Sequence, residues 1–235
     1  MSLPILVSQD LWQEFDNAWK EHMASEEPIG DVVIALRVAG EKKRISRCLA
    51  MAKEHAEKLE GEGNPEDAAR VLGAVLIAGG NPGELATGLL RNAEAAWGKE
   101  KWWPHYVELT GLIEGAPDLR TPWRKFSKAC TFAEGSLVHH PGGWGTGEIL
   151  ELRPAELQVV VKFWNGRKDT FPLNAAIDIF IPLAEADLKA RYFRDPEGMK
   201  KAAKKEPLDA MRIIALENHG TITTTTLRNA LMQIG

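Results

Sequence analysis

The chain of 235 residues carries 29 Lys and Arg against 33 Asp and Glu, a formal net charge of −4, with 44% hydrophobic residues. This is the composition of a folded protein, and it disfavours a wholly basic nucleic-acid binder, which needs surplus cations to displace phosphate counterions. Two cysteines, Cys48 and Cys130, are too few for a disulfide scaffold or a structural zinc site, and the apolar run around Val71 to Gly80 is short of the ~20 residues of a membrane helix. No signal peptide stands in Met1 to Val7, so a cytoplasmic location without membrane contact is expected. Eight tryptophans against two tyrosines are an unusual balance.

From Ser8 to about Ala129 the pattern is helical. Leu11, Phe15, Ala18, Trp19 and Met23 share one helical stripe, and Ile29, Val32, Val33 and Leu36 repeat it. Ile45, Cys48, Leu49, Ala52, Ala56 and Leu59 form a third stripe, ending at Gly61-Glu62-Gly63. Asn64-Pro65 supplies a cap and a first-turn proline for a helix with Ala68, Val71, Leu72, Val75 and Leu76 inward. Gly79-Gly80 stops it, and Asn81-Pro82 starts the next, with Leu85, Leu89, Ala93 and Trp97 inward. A sixth segment runs from Trp103 through Tyr106 and Val107 to Ile113. This order predicts a helical-repeat, TPR-like array over residues 1–130.

Near Thr131 the period changes to that of strands. Ser136–His139 and Gly147–Leu152 read as strands, and Pro154-Ala155 turns into a third in which Leu157, Val159, Val161 and Phe163 alternate with Gln158, Val160, Lys162 and Trp164. Asn165-Gly166 is a hairpin signal in which both turn positions are expected at positive φ, with Arg167–Phe171 as the returning strand. Ile177–Ile181, closed by Pro182, reads as a fifth strand. Five short strands predict a small SH3/Tudor-like β-barrel over 131–183. From Ala184 a helical segment over 184–235 is expected. Helix starts stand at Asp195-Pro196-Glu197 and Glu206-Pro207, apolar stripes are Leu208, Met211, Ile214 and Ala215, then Ile222, Leu227, Leu231 and Ile234, and Thr223–Thr226 forms a first helical turn.

No catalytic constellation is visible. The glycines of His139-His140-Pro141-Gly142-Gly143-Trp144-Gly145-Thr146-Gly147 lack the following helix and lysine of a phosphate loop. His139 and His140 fall on opposite faces of a strand and cannot share a metal. His22, His55, His105 and His219 read as surface or capping residues, and Ser136 and Cys130 lie in no nucleophile motif. No enzyme, cofactor or metal site is expected.

Partner binding is the stronger reading. Trp144 and Trp164 stand near turns of the strand segment, where a tryptophan either anchors a partner or fills the small core, and Arg167 and Lys168 stand beside Trp164. The candidate contacts are His139, His140, Trp144, Trp164, Arg167 and Lys168. Trp97, Trp102, Trp103 and Trp123 read as packing residues ahead of the strands. The 134–183 segment carries four cations against six anions, which favours a protein partner over direct nucleic-acid contact. Lys200, Lys201, Lys204 and Lys205, flanked by Glu197 and Glu206, read as a solvated helix face.

The runs HHPGGWGTGEILEL, VVVKF, KDTFPLNAAIDIFIPL and LKARYFRDPEGMKKAAKKEPLDAMRIIAL, within Phe132 to Gly235, resemble the N-terminal region of long GreA/GreB-type transcription elongation factors. The strand segment also resembles the RNA-polymerase-interacting domain of CarD and of transcription-repair coupling factors. These likenesses imply a non-catalytic region that docks RNA polymerase, on its β subunit, and reaches nucleic acid only indirectly. Gre factors stimulate transcript cleavage through acidic residues at the tip of a coiled-coil hairpin. This chain has no such heptad hairpin, so no cleavage residue is assigned, and it is expected to be the front of a longer protein. The alternative is a helical-repeat adaptor whose Tudor-like barrel reads a peptide through an aromatic pocket.

Overall fold

The structure, a computed structural model, describes residues 1–25, 27–113, 115–116 and 118–205, with Leu208, Met211, Arg212, Ile214, Thr223, Thr224, Thr225 and Arg228. The chain divides into two compact units, Met1–Ser127 and Lys128–Gly235.

The first unit is an array of helices: α1 Leu3–Ser8, α2 Trp12–Ala24, α3 Gly30–Glu41, α4 Ile45–Gly61, α5 Pro65–Ile77, α6 Pro82–Trp97, α7 Trp103–Thr110 and most of α8 Arg120–Ala129, whose last two residues fall past Ser127. The stripes of α2 to α6 read from the sequence face inward, whereas the sixth segment ends as a helix at Thr110 and leaves Ile113 exposed. Phe15 and Trp19 of α2, Val32 and Leu36 of α3, and Ala68, Val71, Leu72, Val75 and Leu76 of α5 are buried. Helices α4, α5 and α6 pack in sequence, with α3 against α5. The close approach at α5 depends on Gly73, where a Cβ would fall 1.7 Å from Nε1 of the buried Trp123. Trp97, Trp102, Trp103 and Trp123 all gather their rings around Phe126 at centroid distances of 5.3–6.3 Å.

Two local expectations change. Asn81 caps α6, its side-chain oxygen accepting from the Gly83 amide at 3.1 Å, but Asn64 makes no cap bond before α5. There Pro65 still opens the helix, since a first-turn position needs no amide donor. His22 and His55, read as surface or capping residues, are instead buried side by side between α2 and α4, their centroids 5.9 Å apart. They belong to the inward stripes of their helices, next to Trp19, whose ring meets His55 edge-on at 5.8 Å.

The second unit is built on β1 Leu137–His140, β2 Gly145–Arg153, β3 Gln158–Phe163, β4 Lys168–Pro172 and β5 Ile181–Leu183, with helices α9 Leu173–Ile179, α10 Leu188–Arg194 and α11 Pro196–Lys205. The sheet is antiparallel throughout in the order β4-β3-β2-β1-β5. The expected barrel does not close, because β4 and β5 are its two edges and do not pair. Helix α9 stands between them in the chain and fills the core instead, burying Leu173, Ala176 and Ile177 and presenting Phe180 at its end.

The fifth strand is also corrected. Ile177–Ile181 alternates in sequence, yet Leu173, Ala176, Ile177 and Phe180, at helical spacing, are the buried set. The strand starts only at Ile181, and it tolerates Pro182 because an edge position can do without a second ladder bond. At the β3–β4 turn only Gly166 has positive φ, at +83°. The Gly166 amide bonds the Phe163 carbonyl and the Phe163 amide bonds the Arg167 carbonyl, at 2.9 and 2.8 Å. The loop is therefore the three-residue form, Trp164-Asn165-Gly166, with glycine at the left-handed position. Of the C-terminal stripes, Ala215, Ile222, Leu227, Leu231 and Ile234 lie outside the described residues, as do Glu206-Pro207 and Thr226. Of the first stripe, Ile214 is buried against Leu188 of α10, whereas Leu208 and Met211 are exposed.

Candidate functional site

Strand register assigns the sheet two different faces. Val138 pairs with Gly147 and Gly147 with Phe163, Ile149 with Val161, and Val159 with Phe171. These residues make the inner face, where Gly147 is required: a Cβ there would lie 2.7 Å from Val161 and 3.0 Å from Phe163. On the opposite face Leu183, Leu137, Glu148, Lys162 and Lys168 form one cross-strand row. Ile181, His139 and Thr146 form the next.

The six sequence-predicted contacts divide between these faces. His140, Trp144 and Arg167 gather at the inner face. The His140 ring stacks on Trp144 at 4.9 Å and 14°, and the Arg167 guanidinium lies 3.8 Å from the Trp144 ring centroid. Trp144 also meets Phe163 and Phe171, each at 5.4 Å, while Phe180 closes the group against Phe171 at 4.9 Å. The Gly142 amide donates to His140 Nδ1 at 3.0 Å, and Arg167 is further held by an ion pair to Asp169. Trp144 thus covers the end of the core, and its glycine-rich loop is a tight turn rather than an anion cradle.

His139, Trp164 and Lys168 belong to the other face. Trp164, the first residue of the turn, is 71% exposed, and its amide bonds the Thr146 carbonyl at 3.1 Å. The backbone of Gly145, at φ +74°, passes directly under its ring. Lys168 is exposed opposite Lys162. His139 Nδ1 is buried without a hydrogen-bond partner among the described residues. Burial, then the nearby charges of Lys189 and His140, hold its pKa below the ordinary histidine value.

A groove of about 700 Å³ opens on this face. Its floor is His139, Thr146, Glu148 and Lys162, and Trp164 stands at its turn end. Helix α10 supplies the other wall with Leu188, Lys189, Tyr192 and Phe193. Arg194 holds α10 in place, reaching Glu148 and the Gly135 carbonyl, both at 2.9 Å. Sequence reasoning missed Lys162, Lys189, Tyr192 and Phe193 as groove residues. The only signal was the amphipathic KARYF run, and nothing in it says which face of the sheet it covers.

Other candidates resolve simply. Ser136 Oγ donates to the Ala133 carbonyl at 2.7 Å and accepts the Ala133 amide, closing a turn. Burial pushes the Cys48 thiol up to about 11. Among the described residues no three His, Cys, Asp or Glu side chains are placed to hold a metal ion, and no helix is long and apolar enough to cross a membrane.

The described residues thus form a helical array followed by an open five-stranded sheet that carries an aromatic-walled groove. No family model matches the chain, and no solved structure matches it. Part of it is similar to the transcription elongation factor GreA of Chlamydia trachomatis serovar D, with 31% identity over 112 residues. A second similarity is to the transcription elongation factor GreA of Chlamydia pneumoniae, with 26% identity over 130 residues. The matches take in 47% and 54% of this chain but only 15% and 18% of those proteins, so the chain corresponds to a small part of these relatives.

Proposed function

We propose that the chain is a non-catalytic, RNA-polymerase-binding region from the front of a GreA-like transcription elongation factor, acting through protein–protein contacts. The partial similarity to the two chlamydial GreA proteins carries this reading. The sheet unit, read as an unclosed relative of the Tudor-like barrel, presents the polymerase β subunit with the exposed Trp164, Lys168 and the outer edge of β4, which pairs with no further strand among the described residues. Such an edge offers unpaired backbone groups to a partner strand.

Capture of purified bacterial core polymerase by the immobilised chain tests the proposal. Trp164→Ala is expected to weaken capture about 30-fold, the effect of a tryptophan worth ~2 kcal/mol at an interface centre. Unchanged capture after Trp144→Ala with Trp164→Ala would remove the sheet from the mechanism.

A second reading has one observation in its favour. Trp164, Tyr192 and Phe193 share one groove, as a peptide-reading adaptor with an aromatic pocket requires. Capture of a free peptide by a chain that ignores polymerase would favour it.

A further inference from the structure

We propose that the lysine face of α11 is a contact for the phosphate backbone of duplex nucleic acid, made without reading base sequence. It uses none of the residues assigned to the polymerase above and adds a second partner to that reading.

Charge segregation comes first. The chain is acidic overall at −4, yet residues 188–205, which hold α10 and α11, carry seven cations against two anions. Several of these cations are used within the fold. Arg194 pairs with Glu148 and Glu185, Lys200 pairs with Glu197 and lies over the Tyr192 ring, and Lys189 is engaged as well. Lys201, Lys204 and Lys205 are different: all three are exposed, and none has an ion-pair or hydrogen-bond partner among the described residues.

Spacing puts these three on one helix face. Positions i, i+3 and i+4 stand about 6 Å apart, close enough for like charges to repel. The helix dipole favours cations in the last turn and accounts for Lys204 and Lys205. It does not account for Lys201, which lies a turn earlier and opposes both. A run of phosphates relieves that repulsion, and their displaced counterions drive the association.

What the face lacks selects the partner. Met199 is the large apolar side chain of α11, and it packs against the buried Leu188 and Ile214. Pro196–Lys205 holds no aromatic residue. An acidic protein would need an apolar or aromatic anchor at the centre of its interface, and a lipid surface would need an apolar helix face to enter it. A single strand would need open aromatic platforms for its bases. Contact with the ordered phosphates of a duplex needs charge alone.

The test is fluorescence anisotropy on the full chain with a labelled 20-bp DNA duplex, against oligo-dT, poly-glutamate and phosphatidylglycerol vesicles. At ~20 mM salt the duplex is expected to bind with Kd of about 10–100 μM, and three lysines predict a slope of log K on log salt near about −3. Each of Lys201→Gln, Lys204→Gln and Lys205→Gln should reduce that slope by about 1, and the triple variant should lose measurable binding with its circular dichroism unchanged. Lys20→Gln, which removes an exposed cation of the first unit, should leave binding as it is. No duplex binding at low salt, full binding by the triple variant, or an equal loss with Lys20→Gln overturns the proposal. So does binding of poly-glutamate, vesicles or oligo-dT as tight as that of the duplex. Duplex binding without polymerase capture upholds the face and rejects the polymerase reading. Polymerase capture without duplex binding rejects the face alone.

Discussion

Acid should destabilise the helical array through one residue, His55. Its imidazole is 3% exposed, edge-on to Trp19 and beside His22, and its Nδ1 has no hydrogen-bond partner among the described residues. Burial is the main cause that brings its pKa down to about 4, with His22 and Lys58 adding to it and Glu62 opposing. In the unfolded chain the group returns to about 6.5. Between these values the unfolded state binds the proton and the folded state refuses it, so stability is complete above pH ~6.5 and falls as the pH drops toward ~4. The shift of about 2.5 units corresponds to about 3 kcal/mol in full, of which about 2 kcal/mol is lost by pH ~5. With an m-value near 2 kcal/mol/M, the urea midpoint should fall by about 1 M between pH ~7 and ~5. Far-UV circular dichroism, dominated by the first unit's helices, follows the transition. His55→Leu removes the titration and leaves no polar atom to satisfy, so its midpoint should depend less on pH by that same margin. If wild type and His55→Leu lose stability in parallel from pH ~7 to ~5, the acid sensitivity lies elsewhere and the reasoning fails.

Two further predictions concern the same unit. Gly73→Ala should cost about 2–3 kcal/mol in urea unfolding, because the new Cβ would fall 1.7 Å from Trp123 Nε1 and that ring is buried. Asn81→Ala should lose about 1 kcal/mol with its cap bond to Gly83, whereas Asn64→Ala, which removes no such bond, should lose no more than about 0.3 kcal/mol. Matched losses for the two asparagines would show that the observed cap geometry does not govern stability.

Much of the fold was legible where one period dominated a segment. The α5 stripe and the odd-numbered Val159, Val161 and Phe163 of β3 are buried as their spacing requires. Helix α1, six residues beginning at Leu3 with a proline in its first turn, is too short to show a period at all. Ile177–Ile181 satisfied two periods at once, and burial of Leu173 and Phe180 decided for the helix. The placement of His139 and His140 on opposite faces followed from strand geometry alone. The groove did not follow from any local rule. Its walls meet through Arg194 and Glu148, 46 positions apart, and the same holds for His22 and His55, whose helices had to pack before either ring was buried.

The division of the sheet between its faces determines how a loss of binding should be read. Trp144 touches His140, Phe163, Phe171 and Arg167, so its truncation opens the end of the core and lowers stability by about 3 kcal/mol. Trp164 is 71% exposed and contributes contact surface rather than core, so its truncation leaves unfolding within about 0.5 kcal/mol of wild type. A partner lost only with Trp144→Ala therefore reports a damaged inner face. A partner lost with Trp164→Ala at unchanged stability reports a contact on the outer face. The two tryptophans look equivalent in the sequence because both border turns. Strand parity separates them: one ring closes the core, and the other stands on the solvent-facing side.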